Sequence, residues 1–124
     1  MFDSLDIFRM SSAMARHAAA RQAVVASNIA NADTPGYRAR AVPDFASVWN
    51  EGQDAMRATR PGHLVQTGGL SARAAPRDTE ASPNGNTVSI EQEMLAGVEA
   101  QREHSRALAI WRHATGLLRT SLGR

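Results

Sequence analysis

Four histidines, His17, His63, His104 and His113, are the side chains of this sequence best suited to bind a metal or move a proton. A zinc hydrolase of the zincin type needs two histidines one helical turn apart with a glutamate between them. No pair here has that spacing, and His104 and His113 stand nine residues apart. All four read as ordinary seam or surface histidines. The carboxylates Asp44, Glu51 and Asp54 fall in flexible sequence, with nothing to bury them as an acid–base pair. Serine, histidine and aspartate all occur, but no Gly-x-Ser-x-Gly elbow presents a nucleophile. The absence of cysteine excludes disulfides, thiolate catalysis and Cys-based zinc sites. The glycines do not sit between a strand and a helix in a phosphate-cradling pattern. No enzyme, metal or cofactor is expected.

The residues with the sharpest local meaning are polar and form a chain reversal. They run Ser27-Asn28-Ile29-Ala30-Asn31-Ala32-Asp33-Thr34-Pro35-Gly36-Tyr37-Arg38-Ala39-Arg40. Asn28, Asn31 and Asp33 carry short side chains that bond back to nearby backbone and tolerate left-handed conformations. Thr34-Pro35-Gly36-Tyr37 reads as a type II β-turn, with proline fixing φ at its second position and glycine supplying positive φ at its third. Pro35 also disfavours helix at Thr34, so a helix running up to this stretch must be over by then.

Such a helix is written plainly. From Leu5 to Ala32 the chain has no Gly or Pro, and Ile7, Met10, Met14, Ala18, Val25 and Ile29 recur at three- and four-residue spacing, interrupted by Arg21. About 28 residues would span roughly 40 Å, long for so small a chain. Many alanines favour helix and permit close helix–helix approach. A second helix opens at Ser89-x-x-Gln92, the pattern of a capping box. Glu91 and Glu93 lie in its first turn and Arg112, Arg119 and Arg124 at its far end, following the helix dipole. Met94, Gly97, Gln101, His104, Leu108, Trp111, Thr115, Leu118 and Leu122 repeat along it as a coiled-coil-like seam.

Between the helices the order is weaker. Arg38 to Trp49 reads as extended chain followed by a turn of helix capped by Asp44, with Phe45 and Trp49 placed to pack on each other. From Glu51 to Asn86, eight Gly and Pro residues punctuate a polar stretch without periodicity, which predicts an irregular or partner-ordered loop with at most a short hairpin near His63 to Leu70. The expected organisation is an N-terminal helix over 1–33, a turn and extended arm over 34–50, a loop over 51–86 and a C-terminal helix over 87–124. The fold class is mainly α: an antiparallel, coiled-coil-like pair of long terminal helices with an extended arm and a long, largely irregular middle loop. Its packing seam is expected at Ile7, Met10, Met14, Val25, Met94, Leu108, Trp111, Leu118 and Leu122. With helices this long, much of that burial should be intermolecular.

The bulk numbers exclude several classes. The 124 residues suffice for one small domain, and aromatics are only 5%. The net charge is +2, every Lys or Arg position is Arg, and acids and bases are interspersed, which argues against a nucleic-acid face. No apolar run approaches the roughly 20 residues of a membrane span. The start, Met1-Phe2-Asp3-Ser4-Leu5-Asp6, is acidic where a secretory signal would be basic.

The stretch from Asn28 to Arg40 resembles the signature of bacterial flagellar axial proteins (rod, hook and junction subunits), and its wording is nearest to the basal-body rod proteins of the proximal rod. Weaker likeness continues at Gly85-Asn86-Thr87-Val88 and along the C-terminal helix, and Thr59 to Leu64 is similar in outline only. The resemblance implies a structural subunit of the proximal rod, a drive-shaft around the export channel, assembled through packed terminal helices. It implies that Asn28, Ile29, Asn31, Asp33, Thr34, Pro35, Gly36 and Tyr37 form a family turn motif that contacts neighbouring subunits. Implied partners are other copies of the chain, other rod subunits, the adaptor protein at the rod base and the flagellar export apparatus, where Phe45 would help docking. The implied location is the periplasmic rod, reached by export without a cleaved signal. His104 stands where relatives often carry an aromatic, and Gly97 and Gly116 depart from the family pattern by loosening the helix. Two other readings stay open from sequence: a cytosolic helical-hairpin adaptor and, more weakly, a basic nucleic-acid-binding protein.

Overall fold

In the computed structural model, which describes residues 2–54 and 73–123, the alanine-rich N-terminal pattern is one helix, α1 (Phe2–Ala30). It ends three residues before the expected limit at position 33. The last carbonyls are taken up by tighter turns, with Asn31, Ala32 and Thr34 N–H groups donating to the carbonyls of Asn28, Ile29 and Asn31 at 3.1–3.2 Å. A two-residue strand, β1 (Arg40–Ala41), follows, and then α2 (Phe45–Asp54), longer than the single turn expected. The Asp44 carbonyl starts α2, accepting from the Val48 N–H at 3.2 Å and the Ser47 hydroxyl at 2.8 Å.

Strand β2 (Ala75–Pro76) pairs antiparallel with β1. Pro76 has no N–H to give, which this two-stranded edge tolerates. The last element is α3 (Ile90–Ser121), which runs unbroken through Gly97 and Gly116. Ser89 occupies the N-cap position, but its side chain makes no capping bond, so the expected capping box does not form. The approach to the helix is fixed one step earlier, where Asn86 Oδ1 accepts from the Val88 N–H at 2.7 Å. The short hairpin expected near His63 to Leu70 and the likeness at Thr59 to Leu64 lie outside the described residues.

Helices α1 and α3 pack antiparallel. Phe8 meets Trp111 edge-on with ring centroids 6.1 Å apart, Arg21 reaches Glu103 at 2.7 Å, and Asn28 reaches Glu93 at 3.0 Å. As the first partner's number rises, the second's falls. The buried apolar residues between the helices are small, chiefly Ala18, Ala100 and Ala107. Each such methyl contributes only about 0.8 kcal/mol, so this seam brings the backbones close without supplying much burial energy.

Most of the apolar stripe expected as the seam therefore lies outside the contact that joins the two helices of a single chain, although Trp111 meets Phe8 across it. On α3 the buried line runs Glu93, Ala100 and Ala107, with Gly97 and His104 partly covered, one position round the helix from Met94 and Leu108. Met94 is 62% exposed and Leu122 78% exposed, and Ile7, Met10, Leu108, Trp111 and Leu118 are also exposed; Met14 and Val25 are half-buried. Large side chains keep backbones apart, whereas alanine lets them approach, so the helices meet on their smallest residues. Arg21, which interrupts the apolar pattern of α1, lies in the interface as an ion-pair partner of Glu103 and, at 3.7 Å, of Glu99.

On another face of α1, the arm and the start of α2 reach His17, which is buried. His17 Nε2 donates to the Pro43 carbonyl at 2.8 Å, and its ring packs edge-on against Phe45, which in turn packs on Trp49. His17 is thus an internal anchor for the arm; its Nδ1 is buried with no hydrogen-bond partner among the described residues.

Candidate functional site

The structure gathers the polar residues of the chain reversal at the closed end of the helical pair. Asn28 is fully buried on the last turn of α1, and its amide is satisfied on both sides. Nδ2 donates to the Arg40 carbonyl at 2.8 Å and to Glu93 Oε2 at 3.0 Å. Oδ1 accepts from the Arg40 N–H at 3.1 Å and from the Tyr37 hydroxyl at 3.3 Å. One side chain thereby ties α1, the arm and α3 together. Glu93, also fully buried, completes the connection through Oε1, which accepts from Arg77 at 3.2 Å. A buried carboxylate persists only when its oxygens are paired, and here both are.

The second half of this clasp comes from the irregular segment before α3. Asn86 is 2% exposed and points its Nδ2 at the carbonyls of Asn31, Ala32 and Thr34, at 2.8–2.9 Å. It closes the end of α1 from outside that helix. Thr87 Oγ1 accepts from the Ala39 N–H at 2.8 Å, the Thr87 N–H donates to the Tyr37 carbonyl at 3.1 Å, and the Arg77 N–H donates to the Ala39 carbonyl at 2.8 Å. Irregular as its backbone is, the stretch from Arg77 to Val88 is therefore held by the chain itself.

The expected turn forms as written. Gly36 has φ +71° and the Tyr37 N–H donates to the Thr34 carbonyl at 3.2 Å, the type II arrangement. Asn31 Nδ2 donates to the Ser27 carbonyl at 2.8 Å, and Thr34 Oγ1 donates to Asn31 Oδ1 at 3.3 Å. Asp33, Thr34, Pro35 and Gly36 form an exposed tip, Ile29 is exposed beside it, and Asn31 and Tyr37 are half-buried. Of the expected motif, Asn28 alone is wholly internal. Arg77, Asn86 and Glu93 are not legible from sequence as members of this site. Glu93 reads there as a first-turn acid, and nothing in the spacing links Asn86 to the end of a helix more than 50 residues away.

At the other end of the pair the helices leave an open groove of about 520 Å³, lined by Ser11, Ser12, Ala15, Arg16, Ala107, Leu108 and Trp111. Together with the exposed Met94, Leu118 and Leu122, it leaves the long helices with wide apolar surface outside the fold. Among the described residues no three His, Asp or Glu side chains converge on a common metal position, and no helix is long and apolar enough to cross a membrane. The arrangement is a rigid polar end carrying two helices with apolar outer faces.

A family model described as flagella basal body rod protein matches residues 10–38, which is most of α1 and the reversal as far as Arg38. The flagellar basal body rod protein FlgB of Agrobacterium fabrum is 34% identical over 108 residues, covering 81% of this chain and 80% of the relative. FlgB of Escherichia coli is 33% identical over 123 residues, covering 88% of each. This chain is a member of the flagellar basal-body rod protein family. FlgB of Yersinia enterocolitica agrees, at 35% identity over 108 residues.

Within this rod-family chain the family match takes in Asn28, Asn31 and Tyr37, one half of the clasp. The half formed by Arg77, Asn86 and Glu93 lies beyond that match. Of these three, Asn86 and Glu93 fall in the weaker likeness at Gly85 to Val88 and along the C-terminal helix, and that likeness gives neither a role in the clasp.

Proposed function

We propose that this chain works as a structural subunit of the proximal part of the flagellar basal-body rod, joined to its neighbours through the outer faces of α1 and α3. Membership of the rod family supports the rod itself and assembly with other rod components. The observation that carries the mode of assembly is the line of large apolar side chains outside the helical pair: Ile7, Met10, Met94, Leu108, Trp111, Leu118 and Leu122 are all exposed while alanines fill the inside. Side chains of this size are each worth roughly 1.5–3 kcal/mol when fully covered, far more than the alanine seam offers. A chain that places its small residues internally and its large ones externally gains most of its burial on assembly. Heterologous contacts between such faces build a helical shaft rather than a closed dimer.

In this reading the neighbours are other copies of the chain, other rod subunits and the adaptor at the rod base. The exposed tip at Asp33 to Gly36 adds a subunit contact beside Ile29. The chain leaves the cytoplasm through the flagellar export apparatus without a cleaved signal, for which a small chain without disulfides is well suited. No catalytic step belongs to it. The test is a deletion strain complemented with wild-type protein or with the double substitution Met94→Asp, Leu122→Asp. The variant is expected to accumulate and fold, yet to leave cells non-motile and without assembled rods. Full motility with this variant would refute assembly through these faces, and motility of the uncomplemented deletion would refute the rod role.

A further inference from the structure

Asn84 and Gly85 form the only Asn–Gly pair in the sequence. The pair carries its own chemistry: a glycine nitrogen, unshielded by a side chain, attacks the preceding side-chain amide carbon. The Gly85 nitrogen loses its proton to solvent base and forms a bond to Asn84 Cγ; the Cγ–Nδ2 bond breaks and ammonia leaves. The resulting five-membered succinimide then takes up water at either carbonyl, giving aspartate or isoaspartate. No oxidant or reductant is involved. Asn84 is exposed, so water and base reach it.

We propose that Asn84–Gly85 is a self-modification site that the folded clasp keeps shut, so that deamidation proceeds only when this turn opens. The geometry opposes the reaction in three ways. First, the Gly85 N–H donates to the Ser82 carbonyl at 2.8 Å, which holds the proton on the attacking nitrogen. Second, that bond closes a β-turn with Pro83 and Asn84 at its centre, and Asn84 has negative φ, the type I form. The near-zero ψ of that form turns the Gly85 nitrogen away from the side-chain amide, and ring closure requires a large rotation about the Asn84 Cα–C bond. Third, both oxygens of Asn84 are held: Oδ1 accepts from the Asn86 N–H at 3.0 Å, and the main-chain carbonyl accepts from the Gly36 N–H at 3.0 Å.

The same fold favours glycine at the reactive position, because Gly85 has φ +81°, a backbone conformation that residues with a side chain rarely adopt. The clasp therefore both favours the reactive pair and suppresses it. The two products differ in consequence. Aspartate keeps Oδ1 as an acceptor for Asn86, whereas isoaspartate adds a methylene to the main chain and breaks the register of the Gly36–Asn84 and Gly85–Ser82 bonds.

The experiment ages the full-length chain in mildly alkaline buffer and follows residue 84 by peptide mapping and an isoaspartate-specific methyl-transfer assay. Four samples are compared: folded wild type, wild type in urea, Asn86→Ala and Gly36→Ala. Folded wild type is expected to react slowest and urea-unfolded chain fastest. The two variants, each short of clasp hydrogen bonds or strained at the facing turn, are expected to react roughly tenfold or more faster than folded wild type, because the open population rises with the free energy lost. If Asn86→Ala loses its fold its rate coincides with the urea value, and Gly36→Ala carries the comparison. Equal rates in folded and urea-treated wild type, or variant rates equal to wild type, would overturn the proposal.

Discussion

Replacing Asn86 by alanine removes one small side chain and tests whether the closed end holds the fold together. Its Nδ2 serves three carbonyls, at Asn31, Ala32 and Thr34, and its Oδ1 serves the Val88 N–H. An amide has two hydrogens, so the three carbonyl contacts amount to about two full bonds, with the Val88 bond a third. At about 0.5–1.5 kcal/mol net for each, and more where a partner is left buried and dry, the loss is about 2–4 kcal/mol. Against a typical total of about 5–15 kcal/mol this is a large fraction. Urea titration followed by circular dichroism measures it as a lower midpoint at similar slope. Asn86→Asp gives a sharper comparison. Aspartate keeps the acceptor for Val88 but turns an acceptor oxygen toward three carbonyl oxygens, so it should cost more than alanine despite its closer shape. A loss below about 0.5 kcal/mol for alanine, or aspartate milder than alanine, would refute the reasoning.

Glu93 and Arg77 should respond unequally: Arg77→Ala strands a fully buried carboxylate with Asn28 alone and should cost about 3 kcal/mol or more, while Glu93→Gln should cost about 1–2, both read by urea titration. At Gly116 an added methyl would meet nothing within 4 Å among the described residues and the helical φ is ordinary, so Gly116→Ala should stabilise by up to about 1 kcal/mol, whereas Gly36→Ala, at φ +71°, should destabilise; thermal melts compare the two. Met94→Asp with Leu122→Asp should leave the melting of the free chain within a few degrees of wild type while abolishing rod assembly, because both side chains are already exposed.

Much of the fold is legible because its signals are local. The absence of Gly and Pro from Leu5 to Ala32 writes α1, and Pro35-Gly36 writes the turn. What escapes is long-range and polar. Asn28 reads as a helix stop because its neighbours are turn formers, yet its work is to join Arg40 and Glu93 from distant parts of the chain. Residues 77–88 carry no periodicity, so the pairing of Arg77 with Ala39 and of Thr87 with Tyr37 leaves no trace in the pattern. On α3 the line that meets α1 lies one position round from Met94 and Leu108 for a different reason: hydrophobic periodicity weights those two by size, while close approach selects Ala100 and Ala107 for lack of it.

A seam of alanines has no teeth. Methyl groups of one size pass over one another with little to distinguish one register from the next, so the setting of α1 against α3 is fixed by Asn28 with Glu93, by Arg21 with Glu103 and Glu99, and by Gln22 with Gln101, toward one end. The polar ties thus gather where Asn86 and Arg77 sit, while toward Phe8 and Trp111 an edge-on aromatic pair joins the helices. A load applied at that far end is expected to splay the helices before it disturbs the clasp.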